Sequence, residues 1–353
     1  MSSPARLSLA APLCLLLLAC GGGDSKGDDE AAAGAGASEP EGVSTLFFLN
    51  ADTSQGRVLS IEPGAGSPTV IADSGAGDMV DGVAVDAEGG WVYWTNMGMF
   101  GTASVHRARL DGSEVELLAT EPELDTPKQI QIDRANGKLY YTDREGMRVH
   151  RSNLDGSDFE VLVTVATGDA ARADASNHCV GIAVDAEAGY FYWTQKGPAN
   201  GGQGRILRAG IEMPAGKDST DRDDIEVLFE GLPEPIDLSL DVGAGHLYWT
   251  DRGDDTVNRA PVDLPSGATA ADRSDREILV EGVPEAIGIS LDLARGWIYF
   301  SELGGELESN PLSLLTGTTN GRVRRARLDG SEDELVIDGV GALTGVEHAD
   351  LPE

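Results

Sequence analysis

One aromatic segment of five residues occurs six times along the chain, and this repetition restricts the fold more than any other feature. Between the second residues of successive copies the steps are 46, 47, 52, 56 and 51 residues. A period of about 40–50 residues is the length of one β-propeller blade. The copies are Leu46-Phe47-Phe48-Leu49-Asn50, Val92-Tyr93-Trp94-Thr95-Asn96, Leu139-Tyr140-Tyr141-Thr142-Asp143, Phe191-Tyr192-Trp193-Thr194-Gln195, Leu247-Tyr248-Trp249-Thr250-Asp251 and Ile298-Tyr299-Phe300-Ser301-Glu302.

Three further strands are predicted around the aromatic segment. An apolar segment that ends in Asp precedes it, as in 82–86, and a segment with Arg at a fixed place follows it, as in 105–107. A fourth apolar segment completes the repeat, as in 226–229. Four short strands with turns between them make one antiparallel blade. The sequence therefore predicts an all-β fold over residues 43–353: a six-bladed β-propeller of four-stranded antiparallel blades.

The first copy lacks its preceding strand, and the C-terminus supplies a candidate. Residues 343–348 resemble the apolar segment 287–291, which precedes the sixth copy. We expect this C-terminal strand to complete the first blade and close the ring. Closure would remove the exposed sheet edges of an open propeller.

The repeated segments resemble the YWTD β-propeller of the low-density-lipoprotein receptor family. Tyr248-Trp249-Thr250-Asp251 matches that motif in full, and the resemblance extends over about residues 43–351. It implies a six-bladed propeller. The cysteine-rich ligand-binding modules of those receptors have no counterpart in this sequence. Their endocytic role and acid-triggered ligand release are therefore not carried over.

The first 19 residues read as an export signal. Arg6 is followed by an apolar run, 7–19, that is too short to cross a bilayer as a helix. Its end, 17–20, resembles the lipobox of bacterial lipoproteins, which implies cleavage before Cys20 and lipidation of that residue. An ordinary cleaved signal is the alternative. Residues 20–42 are rich in Gly, Ala and acidic residues, which is typical of a flexible tether. We expect the protein in the cell envelope, lipid-anchored on a periplasmic or extracellular face.

The excess of acidic over basic residues excludes two classes of binding partner. With 26 Lys and Arg against 60 Asp and Glu, the formal net charge is −34. Such a surface repels phosphate backbones and anionic lipid headgroups, so we expect no nucleic acid and no contact with a membrane except through the lipid anchor. The partner expected is a protein or another envelope ligand, bound by a monomer.

Several side chains recur at fixed repeat positions, and we assign them structural roles. They are Tyr93, Trp94, Arg107, Asp143, Arg151, Trp193, Arg208, Trp249, Asp251, Arg259 and Arg325. Asp143 and Arg151 are eight residues apart, as are Asp251 and Arg259. This spacing predicts an ion pair between the second and third strands of a blade.

No catalytic motif is present in the sequence, and we predict neither a cofactor nor a metal. One alternative is a propeller hydrolase or lactonase of the gluconolactonase or strictosidine-synthase-like type, which holds a central metal with Glu, Asn and Asp. The corresponding ring position offers one carboxylate, which is a poor divalent site. Its residues are Gly82, Gln129, Gly181, Asp237 and Gly288. The preferred interpretation is a non-catalytic binding protein.

Binding is expected where the repeats differ, in the loops 97–101, 166–178, 196–203 and 303–320. These loops share one face with the mouth of the central channel, and exposed apolar residues on such a face mark an interface. The candidate binding residues are Asp81, Met97, Met99, Phe100, Lys128, His178, Asp237, Leu312 and Leu315. The insertions 213–224 and 263–275 fall on the opposite face, and we expect them to be solvated.

Overall fold

The computed structural model describes residues 42–52, 56–75, 79–98, 102–304 and 319–352. Within these ranges, 24 strands form six four-stranded antiparallel sheets. Their innermost strands contact one another in cyclic order around a central channel. The predicted six-bladed propeller is confirmed. No helix in the described part of the chain is long and apolar enough to cross a membrane.

Each blade runs outward from an inner strand to an edge strand. In order from blade 1 to blade 6, the inner strands are β24 (Leu343–Leu351), β4 (Val80–Asp86), β8 (Pro127–Asp133), β12 (Cys179–Asp185), β16 (Pro235–Asp241) and β20 (Ala286–Asp292). The second strands are β1 (Val43–Asn50), β5 (Trp91–Asn96), β9 (Lys138–Asp143), β13 (Tyr190–Gln195), β17 (His246–Asp251) and β21 (Trp297–Glu302).

The outer half of each blade is regular as well. The third strands are β2 (Gly56–Ile61), β6 (Ser104–Arg109), β10 (Arg148–Asn153), β14 (Gly204–Gly210), β18 (Thr256–Pro261) and β22 (Arg322–Arg327). The edge strands are β3 (Thr69–Gly75), β7 (Glu116–Thr120), β11 (Glu160–Thr164), β15 (Glu226–Leu232), β19 (Glu277–Glu281) and β23 (Glu334–Asp338). Between β11 and β12 the chain forms the short helix α1 (Asp169–Arg172) and a 3-10 turn (Ala175–Asn177).

The predicted closure of the ring is also confirmed. β24 pairs with β1 from Val43 opposite Leu351 to Asn50 opposite Leu343. The register shifts once, next to Phe48. The last strand of the chain therefore belongs to the first blade.

The threonine of the repeat joins neighbouring inner strands. In blade 2, Thr95 Oγ1 accepts a hydrogen bond from Gly82 N of its own inner strand (2.9 Å) and donates one to Lys128 O of the next (2.6 Å). Thr250 has the same two roles between blades 5 and 6. The inner strands approach so closely that a Cβ on Gly82 would lie 2.6 Å from Lys128 O. Glycine at position 82 is therefore a packing requirement, although blades 3 and 5 have Gln129 and Asp237 at the same ring position.

The ion pair predicted between the second and third strands is wrong. Strand register places Asp143 opposite Arg148, whereas Arg151 lies opposite Tyr140 at the far end of the pairing. Arg151 instead forms an ion pair with Glu160 of the edge strand, at 2.6 Å. A spacing of eight residues across this hairpin therefore separates the two charges.

The same correction holds in blade 5, where Asp251 accepts backbone hydrogen bonds from Glu234 N (2.8 Å) and Gly253 N (3.0 Å). The recurrent arginines pair with a glutamate on the edge strand of their own blade. These pairs are Arg107–Glu116, Arg151–Glu160, Arg208–Glu226, Arg259–Glu277 and Arg325–Glu334.

The two insertions expected to be solvated are largely exposed, and they also cover sheet edges. In the first, Ser219 O accepts a hydrogen bond from Thr164 N at the end of β11 (2.7 Å), and the buried Arg222 donates to Leu162 O (3.1 Å). In the second, Ala270 O accepts from Glu230 N of β15 (3.0 Å). Each insertion thus covers the edge strand of the preceding blade, where unpaired backbone groups would invite aggregation.

Candidate functional site

The loop face is the side of the ring that carries the connections from second to third strands and from edge strands to the next inner strand. At its centre, where the inner strands begin, Lys128 Nζ lies 2.6 Å from Asp81 Oδ1. Gln129 Nε2 donates a second hydrogen bond to the same carboxylate, at 3.2 Å. Burial lowers the pKa of Lys128 to about 8, although Asp81 opposes the shift. The structure thus joins two of the predicted binding residues in a buried pair.

Met97 was expected to be exposed, and this expectation is wrong. Its side chain is 5% exposed, and its sulfur lies 3.1 Å from Lys128 Nζ. The thioether covers the ammonium group at the channel mouth. Met97 therefore contributes to the packing of the buried pair rather than to an open apolar surface.

Asp237 does not join this pair. Its two carboxylate oxygens accept hydrogen bonds from Leu238 N (2.9 Å) and from Ile289 N of the next inner strand (3.1 Å). Burial raises the pKa of Asp237 well above its usual value. The geometry gives this residue a link between two inner strands.

Sequence reasoning missed three cations beside the channel. Arg144, Lys196 and Arg252 each stand directly after the second strand of blades 3, 4 and 5. The corresponding residues of blades 1, 2 and 6 are Ala51, Met97 and Leu303. The signal was present in the repeat alignment, because only these three copies have a basic residue after the motif.

The three cations are paired with carboxylates. Lys196 Nζ and Arg252 Nη2 both contact Glu234 Oε1, at 2.7 and 2.5 Å, and Arg144 Nε lies 2.7 Å from Glu145. Burial of Glu234 acts to raise its pKa, but Arg252 and Lys196 hold the pKa below its usual value. Together with Asp81 and Lys128, these residues form what we call the mouth cluster.

His178 lies at the end of a segment that is not a plain loop. The 166–178 connection contains α1 and the 3-10 turn, and His178 Nε2 is 2.9 Å from Arg172 O. Arg172 in turn pairs with Asp125 at 2.5 Å. The segment is therefore folded over the loop face, with His178 part-buried beneath it.

Several predicted site residues lie outside the described residues. They are Cys20, Met99, Phe100, Leu312 and Leu315. Among the residues described, no three or more His, Cys, Asp or Glu side chains are grouped as metal ligands. The ring position considered for a central metal is completed in blade 1 by Gly345, where an added Cβ would lie 2.5 Å from Asp81 O.

Comparison with known proteins identifies relatives over most of the chain. No protein-family model matches. A curated protein of Pyricularia oryzae, "Low-density lipoprotein receptor-related protein 1", is 42% identical over 279 residues, which cover 74% of this chain and 87% of that protein. A second, "3-hydroxyacyl-CoA dehydrogenase-like protein LAM1" of Cochliobolus heterostrophus, is 37% identical over 76% of this chain. The match spans 56% of that relative's length.

Two solved structures share the fold. The structure of a nidogen/laminin complex contains a chain that superposes with a TM-score of 0.62 at 19% identity, covering 87% of this chain and 98% of that one. TolB from Acinetobacter baumannii gives a TM-score of 0.57 at 10% identity, covering 88% and 67%. At these identities the likeness shows the fold alone.

Proposed function

Because this chain belongs to the family of low-density-lipoprotein-receptor-related YWTD β-propellers, we propose that it is a non-catalytic binding protein. Its loop face holds a protein or another envelope or extracellular ligand. The Pyricularia oryzae relative is named as a receptor-related protein, and this name supports a binding role. A propeller supplies a rigid scaffold on which loops can carry such a site.

A difference between the two faces carries this proposal. On the face opposite the loop face, the two long insertions are used to cover edge strands. On the loop face, the α1 segment and the loop 196–203 leave side chains exposed, among them Ala173 and Gln203. The departures from the repeat on this face therefore present exposed side chains beside the channel mouth.

The chemistry of the mouth cluster supports binding rather than hydrolysis. Asp81 is paired with Lys128, and Glu234 is shared by Lys196 and Arg252. These groups satisfy one another as ion pairs, which leaves neither carboxylate free to ligate a central metal. They fix the inner ends of the blades, so that the surrounding loops are presented in a defined arrangement.

Attachment to a membrane is part of the proposal. A lipidated Cys20 with the tether 20–42 would hold the propeller near a membrane surface on the periplasmic or extracellular side. The acidic chain, with a net charge of −34, would not adhere to anionic lipid by itself. Access to a ligand would then depend on the tether.

A capture experiment from envelope extract tests the binding face. The loop-face variant is Ala173→Arg with Gln203→Arg, at two exposed positions. The matched control is Val242→Arg with Leu293→Arg on the opposite face, where both side chains are about half exposed (49% and 45%) and the added charge is the same. We expect capture by the wild type and the control but not by the loop-face variant. Loss of capture in the control alone, or no specific capture by the wild type, would overturn the proposal.

A further inference from the structure

A cavity of about 360 Å³ lies between blades 3 and 4, apart from the mouth cluster. Val163 of β11 forms one wall, and Trp193, Gln195 and Leu207 of blade 4 form the other. Ser219, from the insertion that covers β11, also lines it. Its size falls at the lower end of the range for small-molecule sites.

One repeat position beside the cavity is occupied by an apolar side chain. Leu207 lies opposite Trp193 in the strand pairing. Four of the other five blades place a polar side chain there, namely His106, His150, Asn258 and Arg324. His106 stacks on Trp94 with ring centroids 5.4 Å apart, and Arg324 contacts Glu302 at 2.7 Å. In blade 4, Leu207 can form neither a ring stack nor an ion pair.

One buried donor at the cavity lacks a partner. Trp193 is 1% exposed, and its Nε1 has no hydrogen-bond partner among the described residues. Gln195 is 2% exposed, and no hydrogen bond of its carboxamide is present in the described part of the chain. The residues at the same place in blades 3 and 5, Asp143 and Asp251, both accept backbone hydrogen bonds. A buried polar group without a partner is costly, so the indole N–H favours a bound ligand, and the Gln195 side chain lines the same cavity.

The charge of the lining specifies the ligand. Arg205 lies at the cavity, where its Nη2 donates to Ser176 O at 3.3 Å, and no ion pair of Arg205 occurs within the described ranges. No Asp or Glu is among the described residues that line the cavity, in a chain that contains 60 of them. An unpaired guanidinium beside an indole N–H and a carboxamide is suited to a carboxylate.

We propose that this cavity binds a small organic acid with an apolar body. The carboxylate pairs with Arg205 and accepts hydrogen bonds from Trp193 Nε1 and the Gln195 amide, while the apolar part packs on Val163 and Leu207. Ala173 and Gln203, which the loop-face variant changes, do not line this cavity, so the two proposals can fail separately.

Calorimetric titration with 4-methylpentanoate tests the proposal, with 4-methylpentanamide as the neutral probe of the same shape. We expect saturable binding of the acid and binding of the amide that is weaker by about tenfold or more, because a charge-assisted hydrogen bond is lost. A tetrapeptide that ends in leucine carries the same end group on a longer chain, and we expect it to be excluded. Equal binding of acid and amide, no binding of the acid, or binding of the peptide alone would overturn the proposal.

Variants locate the site. Arg205→Gln should weaken binding of the acid by about tenfold or more, whereas Arg148→Gln, at the same repeat position in blade 3, should leave it unchanged. Leu207→His places in blade 4 the residue found in blades 2 and 3, and it should abolish binding by filling the cavity. Thermal melts of each variant separate loss of binding from loss of folding. Unchanged binding in Arg205→Gln, or equal loss in Arg148→Gln, would contradict the assignment.

Discussion

At the residue scale, the hydroxyl of the YWTD-type motif links the inner strands of two neighbouring blades. Thr250 Oγ1 accepts a hydrogen bond from Asp237 N (3.1 Å) and donates one to Ile287 O of the next blade (2.6 Å). Ser301 accepts from Gly288 N in the same way and donates to Thr344 O. In blades 2–6 this position holds Thr or Ser, which are small side chains that both donate and accept, whereas blade 1 has Leu49.

Thr250→Val should therefore destabilise the fold. The substitution keeps the shape but leaves two buried backbone groups without partners, for which we expect a loss of about 1–3 kcal/mol in the free energy of unfolding. Urea denaturation followed by tryptophan fluorescence measures it. Thr102→Val, at an exposed position, is the control and should stay within about 0.5 kcal/mol. Equal midpoints for both variants would show that the hydroxyl does not join the blades.

A second residue-scale prediction concerns pH. Glu347 lines the channel and accepts a hydrogen bond from Ser290 Oγ at 3.1 Å. Burial raises the pKa of Glu347 from 4.5 to about 7. Between these values the folded state holds a proton that the unfolded state releases, so the contribution of Glu347 to stability falls as pH rises from about 4.5 to about 7.

Glu347→Gln removes this titration and mimics the protonated form. Relative to the wild type, the variant should gain about 1–2 kcal/mol at pH 8, a figure that allows for screening by solvent in the channel, and little near pH 4.5. Unfolding free energies at four pH values between 4.5 and 8 measure the difference. A difference that is constant across this range would contradict a raised pKa at Glu347.

The residue types at the repeat positions could be predicted from the sequence, but several of their partners could not. The recurrence of Asp143 and Arg151 indicated a structural role, yet their pairing depends on strand register, which separates them. Burial of Met97 depends on Lys128 from the neighbouring blade. The cavity beside Leu207 depends on how blade 4 packs against blade 3. Each of these needs distances between strands that the sequence does not contain.

At the element scale, the number of blades and the closure were predictable because each blade has its own copy of the pattern. The role of the insertions was not, because an insertion in one blade protects the edge of the blade before it. Arg222, which looked like one charge in an acidic loop, has a fully buried side chain that donates to Leu162 O and pairs with Asp224. The acidic composition of the insertion 213–224 therefore did not indicate its structural role.

Deletion of residues 342–353 tests the closing strand. β24 pairs with β1 and contacts the inner strands β20 and β4, so its loss exposes an edge and opens the ring on both sides. We expect loss of the cooperative thermal transition or aggregation, measured by calorimetry and light scattering. Deletion of residues 352 and 353 alone leaves β24 intact and is the control. A truncated protein that melts as the full chain does would refute closure by β24.

At the scale of the whole molecule, the net charge and the predicted N-terminal lipid both bear on the proposed attachment to a membrane. A chain with a net charge of −34 is not attracted electrostatically to an anionic membrane, so the membrane attachment that we propose would rely on a covalent lipid. A flexible chain of 23 residues, the length of segment 20–42, would have a mean reach of about 25 Å. That distance would keep the propeller close to the surface while leaving it free to rotate.

Cys20→Ala tests this arrangement in the full-length protein expressed in a bacterium that processes lipoproteins. The variant should move from the membrane fraction to the soluble fraction, because about 0.8 kcal/mol of membrane affinity is lost with each buried methylene of the missing acyl chains. Cys14→Ala is the matched control: Cys14 lies within the predicted signal, so its loss should leave fractionation unchanged. Mass spectrometry of the N-terminal peptide should find the lipid in the wild type and in the control. An unmodified Cys20, or identical fractionation of all three proteins, would leave an ordinary cleaved signal as the explanation of residues 1–19, and the propeller would then be a freely diffusing protein.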